Sequence, residues 1–201
     1  MKMKILITLL LISNICFAQK EAIAVFKDSG FSVKYKYMMT DNFERLLGSK
    51  ISNANAILDC VFENIFPDKK YYATRIKEER SLYGINYNVI TLTTDDKKNI
   101  ESITIDLKDV VNDDFYNLFI ADYGKPNSIL IVEKEIVISE TEETNSSFNQ
   151  KMRKIELELR EGQFNEGPLL MVWKKKDYEI KILIRHDRNT SDITFSKHKK
   201  A

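Results

Sequence analysis

The chain has 201 residues, 43% of them hydrophobic and 30% charged, with six glycines and three prolines. This is the composition of an ordinary folded protein and excludes collagen-like, linker-rich and low-complexity readings; the length allows one domain or two small ones. Thirty-one basic against 30 acidic residues give a formal charge of +1, so the surface lacks the basic excess that draws a protein to nucleic acid, and no nucleic-acid partner is expected.

The first residues follow a three-part pattern. Met1, Lys2, Met3 and Lys4 give a basic start, residues 5–12 (ILITLLLI) an apolar core, and Cys16, Phe17 and Ala18 a stretch ending on a small residue before Gln19. The pattern predicts a secretory signal peptide over residues 1–18, hence an exported protein, periplasmic or extracellular. Ser13 and Asn14 end the apolar run well short of the ~20 residues a spanning helix needs. No later stretch is long and apolar enough, so no transmembrane span is expected. Cleavage after Ala18 is favoured over lipid anchoring at Cys16, because a lipidated cysteine wants a small residue before it and Ile15 is bulky. That cleavage leaves 29 basic against 30 acidic residues, and Cys60 without an intrachain disulfide partner.

Residues 31–37 (FSVKYKY) alternate and read as a strand. Asp41 with Glu44 three residues on fits a capping box, Phe43, Leu46 and Leu47 supply an apolar side, and Gly48 closes a short helix. Ser52 or Asn53 can cap a second helix. In it Ile57, Val61 and Ile65 recur four residues apart, with Ala54 and Leu58 beside them, which predicts a core-facing helix ending at Pro67. A strand over residues 56–62 is the alternative. Residues 71–80 are more polar and read as an edge strand, where charge discourages stray pairing.

Residues 85–107 make the strongest hairpin. Ile103, Ile105 and Leu107 face one way and Ser102, Thr104 and Asp106 the other. The first arm changes phase between Val89 and Ile90, which predicts a bulge or burial on both faces. Residues 94–99 are turn formers. Residues 109–123 form the clearest helix, capped by Asn112 or Asp113, with Val111, Phe115, Leu118 and Phe119 as its buried stripe and Gly124 at its C-cap before Pro126. Strands are expected at 129–138, 155–160, 169–173, 178–184 and around Ile193 and Phe195. A polar, mobile loop is expected at 140–150, short turns at 174–177 and 186–190, and a frayed basic tail at 197–201.

The element order predicts an α+β fold, an antiparallel sheet covered by a few helices. It can be built as two tandem helix-on-sheet units, residues 19–108 and 109–196, or as one continuous domain. Residues 43–48 (FERLLG) and 115–126 (FYNLFIADYGKP) each read as a helix ending in glycine, the second leading into a strand, and a later strand carries Trp173. This layout resembles small secreted modules of the β-lactamase-inhibitor-protein-like and BamE/SmpA-like families, although Lys50 stands where the first unit would have its proline. The resemblance implies helices packed on an antiparallel sheet and a protein that works by binding another protein. It supplies no binding residue.

The motifs of common catalytic sites are missing: there is no G-x-S-x-G, H-E-x-x-H, C-x-x-C or glycine-rich phosphate loop. His186 beside Asp187 offers a general base with an orienting acid, or simply a solvated turn, and the other histidine, His198, lies in the tail. Asp95–Asp96 and Asp113–Asp114 lack calcium-loop spacing and fit a turn and a helix start, and the acids of residues 140–143 fit a solvated loop. Lys174, Lys175 and Lys176, with Lys181, Arg185 and Arg188 nearby, form the one basic concentration, suited to anionic headgroups or polysaccharide or to a hydrated turn. Trp173 and the tyrosines are either an aromatic binding face or core, and Cys60 reads as a small buried hydrophobe. Sequons at Asn145 and Asn189 matter only in a eukaryotic secretory pathway. No catalytic, cofactor-binding or metal-binding residue is assigned and no cofactor is implied. The leading expectation is a non-enzymatic binding or envelope-associated module acting on another envelope or extracellular protein, of unspecified oligomeric state. The alternatives are a secreted hydrolase with an unrecognised carboxylate or histidine site, and a carrier of a hydrophobic ligand in a cavity lined by the Ile and Phe set.

Overall fold

The structure, a computed structural model, describes residues 20–27, 30–37, 42–66, 70–145 and 148–198. The expected signal peptide, Asp41, Pro67 and the last three residues of the tail lie outside them. Contacts divide the chain into two units, residues 1–41 and 42–201. In the first, β1 (Lys20–Lys27) and β2 (Gly30–Tyr37) pair antiparallel, from Lys20 opposite Tyr37 to Lys27 opposite Gly30. β2 is the alternating stretch expected to be a strand. Its partner carries two alanines, Ala22 and Ala24, which dilute the β-branched signal.

The second unit is built on one nine-stranded antiparallel sheet. In chain order its strands are β3 (Glu63–Phe66), β4 (Tyr71–Leu82), β5 (Ile85–Thr94), β6 (Ile100–Leu107), β7 (Ser128–Asn145), β8 (Phe148–Glu161), β9 (Leu170–Lys174), β10 (Tyr178–Arg185) and β11 (Thr190–Lys197). Across the sheet they run β3-β4-β5-β6-β11-β10-β9-β7-β8. Strands from the first and second halves of this unit therefore share one ladder, joined where β6 meets β11. The helices are α1 (Ile51–Leu58) and α2 (Asp113–Tyr123), with single turns of 3-10 helix at Phe43–Leu46 and Phe164–Glu166.

One face of the sheet is the core, and its register is set by aligned apolar rows. Ile90, Ile105, Ile193, Ile182, Met171 and Ile129 stand opposite one another in turn across β5, β6, β11, β10, β9 and β7. Leu92, Ile103, Phe195, Ile180 and Trp173 make the next row. A one-residue slip would turn both rows to the opposite face, so burial pins the register. The helical elements add Phe43, Leu46, Ala54, Leu58, Phe115 and Phe119 to the same cluster. The phase change in β5 is a bulge between Tyr87 and Val89, which lets Ile85, Tyr87, Ile90 and Leu92 all reach the core.

α2 matches its sequence signals. The Asn112 side chain accepts a hydrogen bond from the Phe115 amide at 2.9 Å, Asp113 and Asp114 fill the first turn, and Gly124 takes a positive φ at the end. The Gly124 carbonyl then accepts from Trp173 Nε1 at 2.8 Å, tying helix end to sheet. Leu118 departs from the expected stripe and is exposed.

Several expectations are corrected. The second helix stops at Leu58, where Asp59 turns left-handed, and the Asn55 side chain accepts from the Phe62 amide at 3.3 Å to close the end. Its N-cap is Lys50, not Ser52 or Asn53, and it buries Ala54 and Leu58 while Ile57, Val61 and Ile65 are exposed. Ile65 belongs to β3, so the four-residue repeat ran across a helix, a turn and a strand; the alternative strand over residues 56–62 is not formed either. Asn42 stands at the N-cap of the first 3-10 turn without a side-chain bond. β4 lies inside the sheet, and the edge beyond it is β3. Residues 140–145 and 148–150 continue β7 and β8 where a loop was expected, because two polar strands pairing only with each other leave no hydrophobic alternation to read.

Candidate functional site

Two surfaces of the nine-stranded sheet stand out. The first is the face turned away from the core, over β4, β5, β6 and β11. Here the alternation that buries isoleucines on one side sets short polar side chains on the other. Thr91, Thr104 and Thr194 stand opposite one another, as do Thr93, Ser102 and Ser196, and in the third row Asp106 faces Asp192. Hydroxyl pairs link neighbouring strands, Thr93 with Ser102 at 2.6 Å and Thr104 with Thr194 at 2.9 Å. Short side chains leave room above them. A hollow of about 530 Å³ opens over Thr91, Thr93 and Thr104, with Tyr71 at one side and Asp106, Asp192, Arg185 and Arg188 toward the other.

Its electrostatics follow from geometry. Asp106 and Asp192 are directly cross-strand, an arrangement in which like charges repel. Arg185, diagonal to Asp192, forms an ion pair with it. Half-burial pushes the Asp106 carboxyl above its ordinary range, Asp192 pushes the same way, and Arg185 opposes them.

The second surface is the β7–β8 ribbon. β9 pairs with β7 only over Ser128, Ile129 and Leu130, so beyond that point β7 has β8 as its sole ladder neighbour, and β8 is the free edge of the sheet. The ribbon is firmly rooted. The Glu161 carboxylate accepts from Ser128 Oγ at 2.6 Å and from the Ile129 amide at 3.2 Å. Arg160 pairs with Glu166 at 2.7 Å, and Glu166 also accepts from the Gln163 amide at 2.8 Å. A Cβ at Gly162 would stand 1.9 Å from Ile131 Cδ1, so a larger residue there would have to push the Ile131 side chain aside. Past the root, Val132 faces Leu159, Glu135 faces Leu157 and Val137 faces Ile155, while Glu158 faces Lys134 and Glu156 faces Ile136 on the other side. Ile155, Leu157 and Leu159 are 44%, 39% and 41% exposed, with Val137 and Ile138 more so. β8 thus carries an apolar stripe that stays part-exposed along the edge of the sheet.

The residues singled out by sequence are dispersed. His186 Nε2 lies 3.0 Å from the Pro168 carbonyl, and Asp187 pairs with Arg188 at 3.7 Å, so the histidine and its neighbouring acid do not join. His186 lines a small cleft of about 280 Å³ with Asn112, Asp113 and Phe164. Asp95 accepts from the Asn99 side chain at 2.7 Å and from the amides of Asn99 and Lys97 at 2.8 and 2.9 Å, which closes the β5–β6 turn and holds its carboxyl below the usual range. Asp96 pairs with Lys70. Asp113 and Asp114 sit in the first turn of α2. The side chains of residues 140–143 lie outside the described set, although their backbone is β7.

The basic concentration separates as well. Lys175 Nζ donates to the Tyr123 carbonyl, Lys181 pairs with Glu179 at 2.7 Å, and Arg185 turns into the hollow. His198 Nε2 lies 2.8 Å from the Lys175 carbonyl. Trp173 is core, with its ring 4.9 Å from Phe119, which stacks on Phe115 at 5.6 Å. Cys60 is half-buried against the same cluster. Among the described residues no three His, Cys, Asp or Glu side chains converge as metal ligands, and no helix is long and apolar enough to cross a membrane.

Neither surface was singled out in the sequence. The hollow had a visible signal: the polar phase of β5, β6 and β11 reads Thr91, Thr93, Thr104, Asp106, Asp192, Thr194 once the strands are placed side by side. The ribbon's stripe had none, because alternation in residues 155–160 is the same whether its apolar side is covered or bare. No protein-family model matches the chain, and no curated protein or solved structure matches it.

Proposed function

We propose that the protein is an exported, non-enzymatic binding module that docks on another envelope or extracellular protein through the β7–β8 ribbon. The observation that carries this reading is the part-exposed apolar stripe of Ile155, Leu157 and Leu159 on a rooted edge strand. A contiguous apolar strip on an open ladder is a liability for a chain that acts alone. It is an asset for one that receives a partner. An extended partner segment adds backbone hydrogen bonds along β8, and its alternate side chains cover the stripe, the mode in which a sheet edge is extended by a bound strand. The N-terminal pattern of residues 1–18 supports export, and the layout resemblance to small secreted protein-binding modules points the same way.

The test places a photo-crosslinking residue at Leu157 in the full chain expressed in its native cells, with the same residue at Thr104 as the control. Discrete adducts from position 157, absent from position 104 and lost when Ile155→Glu is added, are expected in the envelope or extracellular fraction. Equal labelling from both positions, or none from 157 in chain shown to be folded, overturns the reading.

A further inference from the structure

The hollow on the polar face lies on different strands from the ribbon stripe and calls for a different kind of ligand. We propose that it is a binding site for a short neutral saccharide. The inference is independent of the docking reading above.

Three observations converge. The size is right: about 530 Å³ falls within the ~300–1,000 Å³ of small-molecule sites. The floor is made of hydroxyls: Thr91 faces Thr104 across the ~4.8 Å between strands, Thr93 stands two residues along β5, and the hydroxyls of Thr93 and Thr104, each already shared with Ser102 or Thr194, keep further hydrogen-bonding capacity. The far side holds both pure acceptors and pure donors, the carboxylates of Asp106 and Asp192 and the guanidinium of Arg185, with Tyr71 supplying a ring at the opposite wall.

The lining rules out the simpler ligands one by one. An inorganic anion meets two carboxylates on adjacent strands. A bare cation meets Arg185 and Arg188 and finds no third carboxylate to complete its shell. An apolar molecule would strip water from the carboxylates and guanidinium groups without replacing their hydrogen bonds. A neutral polyhydroxylated ring suits the threonines, the carboxylates and the guanidinium together. Its hydroxyls donate to Asp106 and Asp192 and accept from Arg185, the threonines serve either role, and its C–H face lies on Tyr71. Asp192 is already engaged by Arg185, and Asp106 stands directly across from it as the second carboxylate acceptor. No covalent step is involved.

The experiment follows backbone amides of the full chain by two-dimensional NMR during titration with maltose, cellobiose and diacetylchitobiose, with inorganic phosphate and calcium chloride as counter-probes. Saturable shifts at Thr91, Thr93, Thr104 and Asp192 with at least one disaccharide are expected, weakened at least tenfold in Asp106→Asn. Thr104→Val, which keeps shape and removes one hydroxyl, should weaken binding by a smaller factor, so the inference survives a folding failure of the first variant. Co-sedimentation with purified peptidoglycan then separates a cell-wall glycan from a free sugar as the source of the ligand. Silence at those amides with all three disaccharides, or saturable shifts with calcium or phosphate alone, overturns the proposal.

Discussion

β11 and the C-terminal half of β8, residues 155–160, alternate cleanly, yet they stand in opposite situations. In β11, Ile193 and Phe195 lie fully inside, between β6 and β10 and beneath the helical elements. In β8, Ile155, Leu157 and Leu159 keep the same spacing and face solvent at the end of the ladder. The difference teaches that period two identifies a strand and one apolar side of it, while burial is decided by what the rest of the chain lays across that side.

The comparison is broken most severely at the centre. Phe195→Ala empties a site beside Phe43, 5.9 Å away, and Tyr123, 6.0 Å away, and should cost about 3–5 kcal/mol in denaturant unfolding. A loss under ~1 kcal/mol would mean that the aligned rows are not the stabilising core. Trp173→Phe probes the boundary, because β9 pairs with β10 on one side and with the root of the ribbon on the other. It keeps an aromatic ring but leaves the Gly124 carbonyl without its donor, an expected cost of about 1–3 kcal/mol read from the same unfolding curves. The smallest effect is at the edge. Leu157→Ser should cost about 1 kcal/mol, since its side chain stays 39% exposed and gains only part of a buried leucine's stabilisation. If it destabilised as Phe195→Ala does, the stripe would be covered and the contrast between the two strands would vanish.

Legibility in the sequence follows the same division. The hairpin of β5 and β6, the helix α2 with its Asn112 cap and Gly124 stop, and the β9–β10–β11 meander were all readable, because local turn chemistry and alternation agree there. The stretch from Ile57 to Ile65 misled, since a helical spacing of isoleucines and valine arose by chance across three elements. The length of the ribbon was hidden because residues 140–150 carry no apolar alternation, and only mutual pairing makes its flanks strands. The hollow was spelled out in the polar half of each strand. It needed β6 and β11, remote in the chain, to be set side by side before the letters formed a site.

The placement of β11 has a kinetic consequence. β11 follows every other described strand in the chain yet is a central one, and Thr104 meets Thr194 across 90 residues of sequence. Such distant partners are slow to find each other. Until β11 is in place, β6 and β10 each lack the ladder partner on that side. Clipping the terminus before Thr190 would therefore remove the keystone and not the trim.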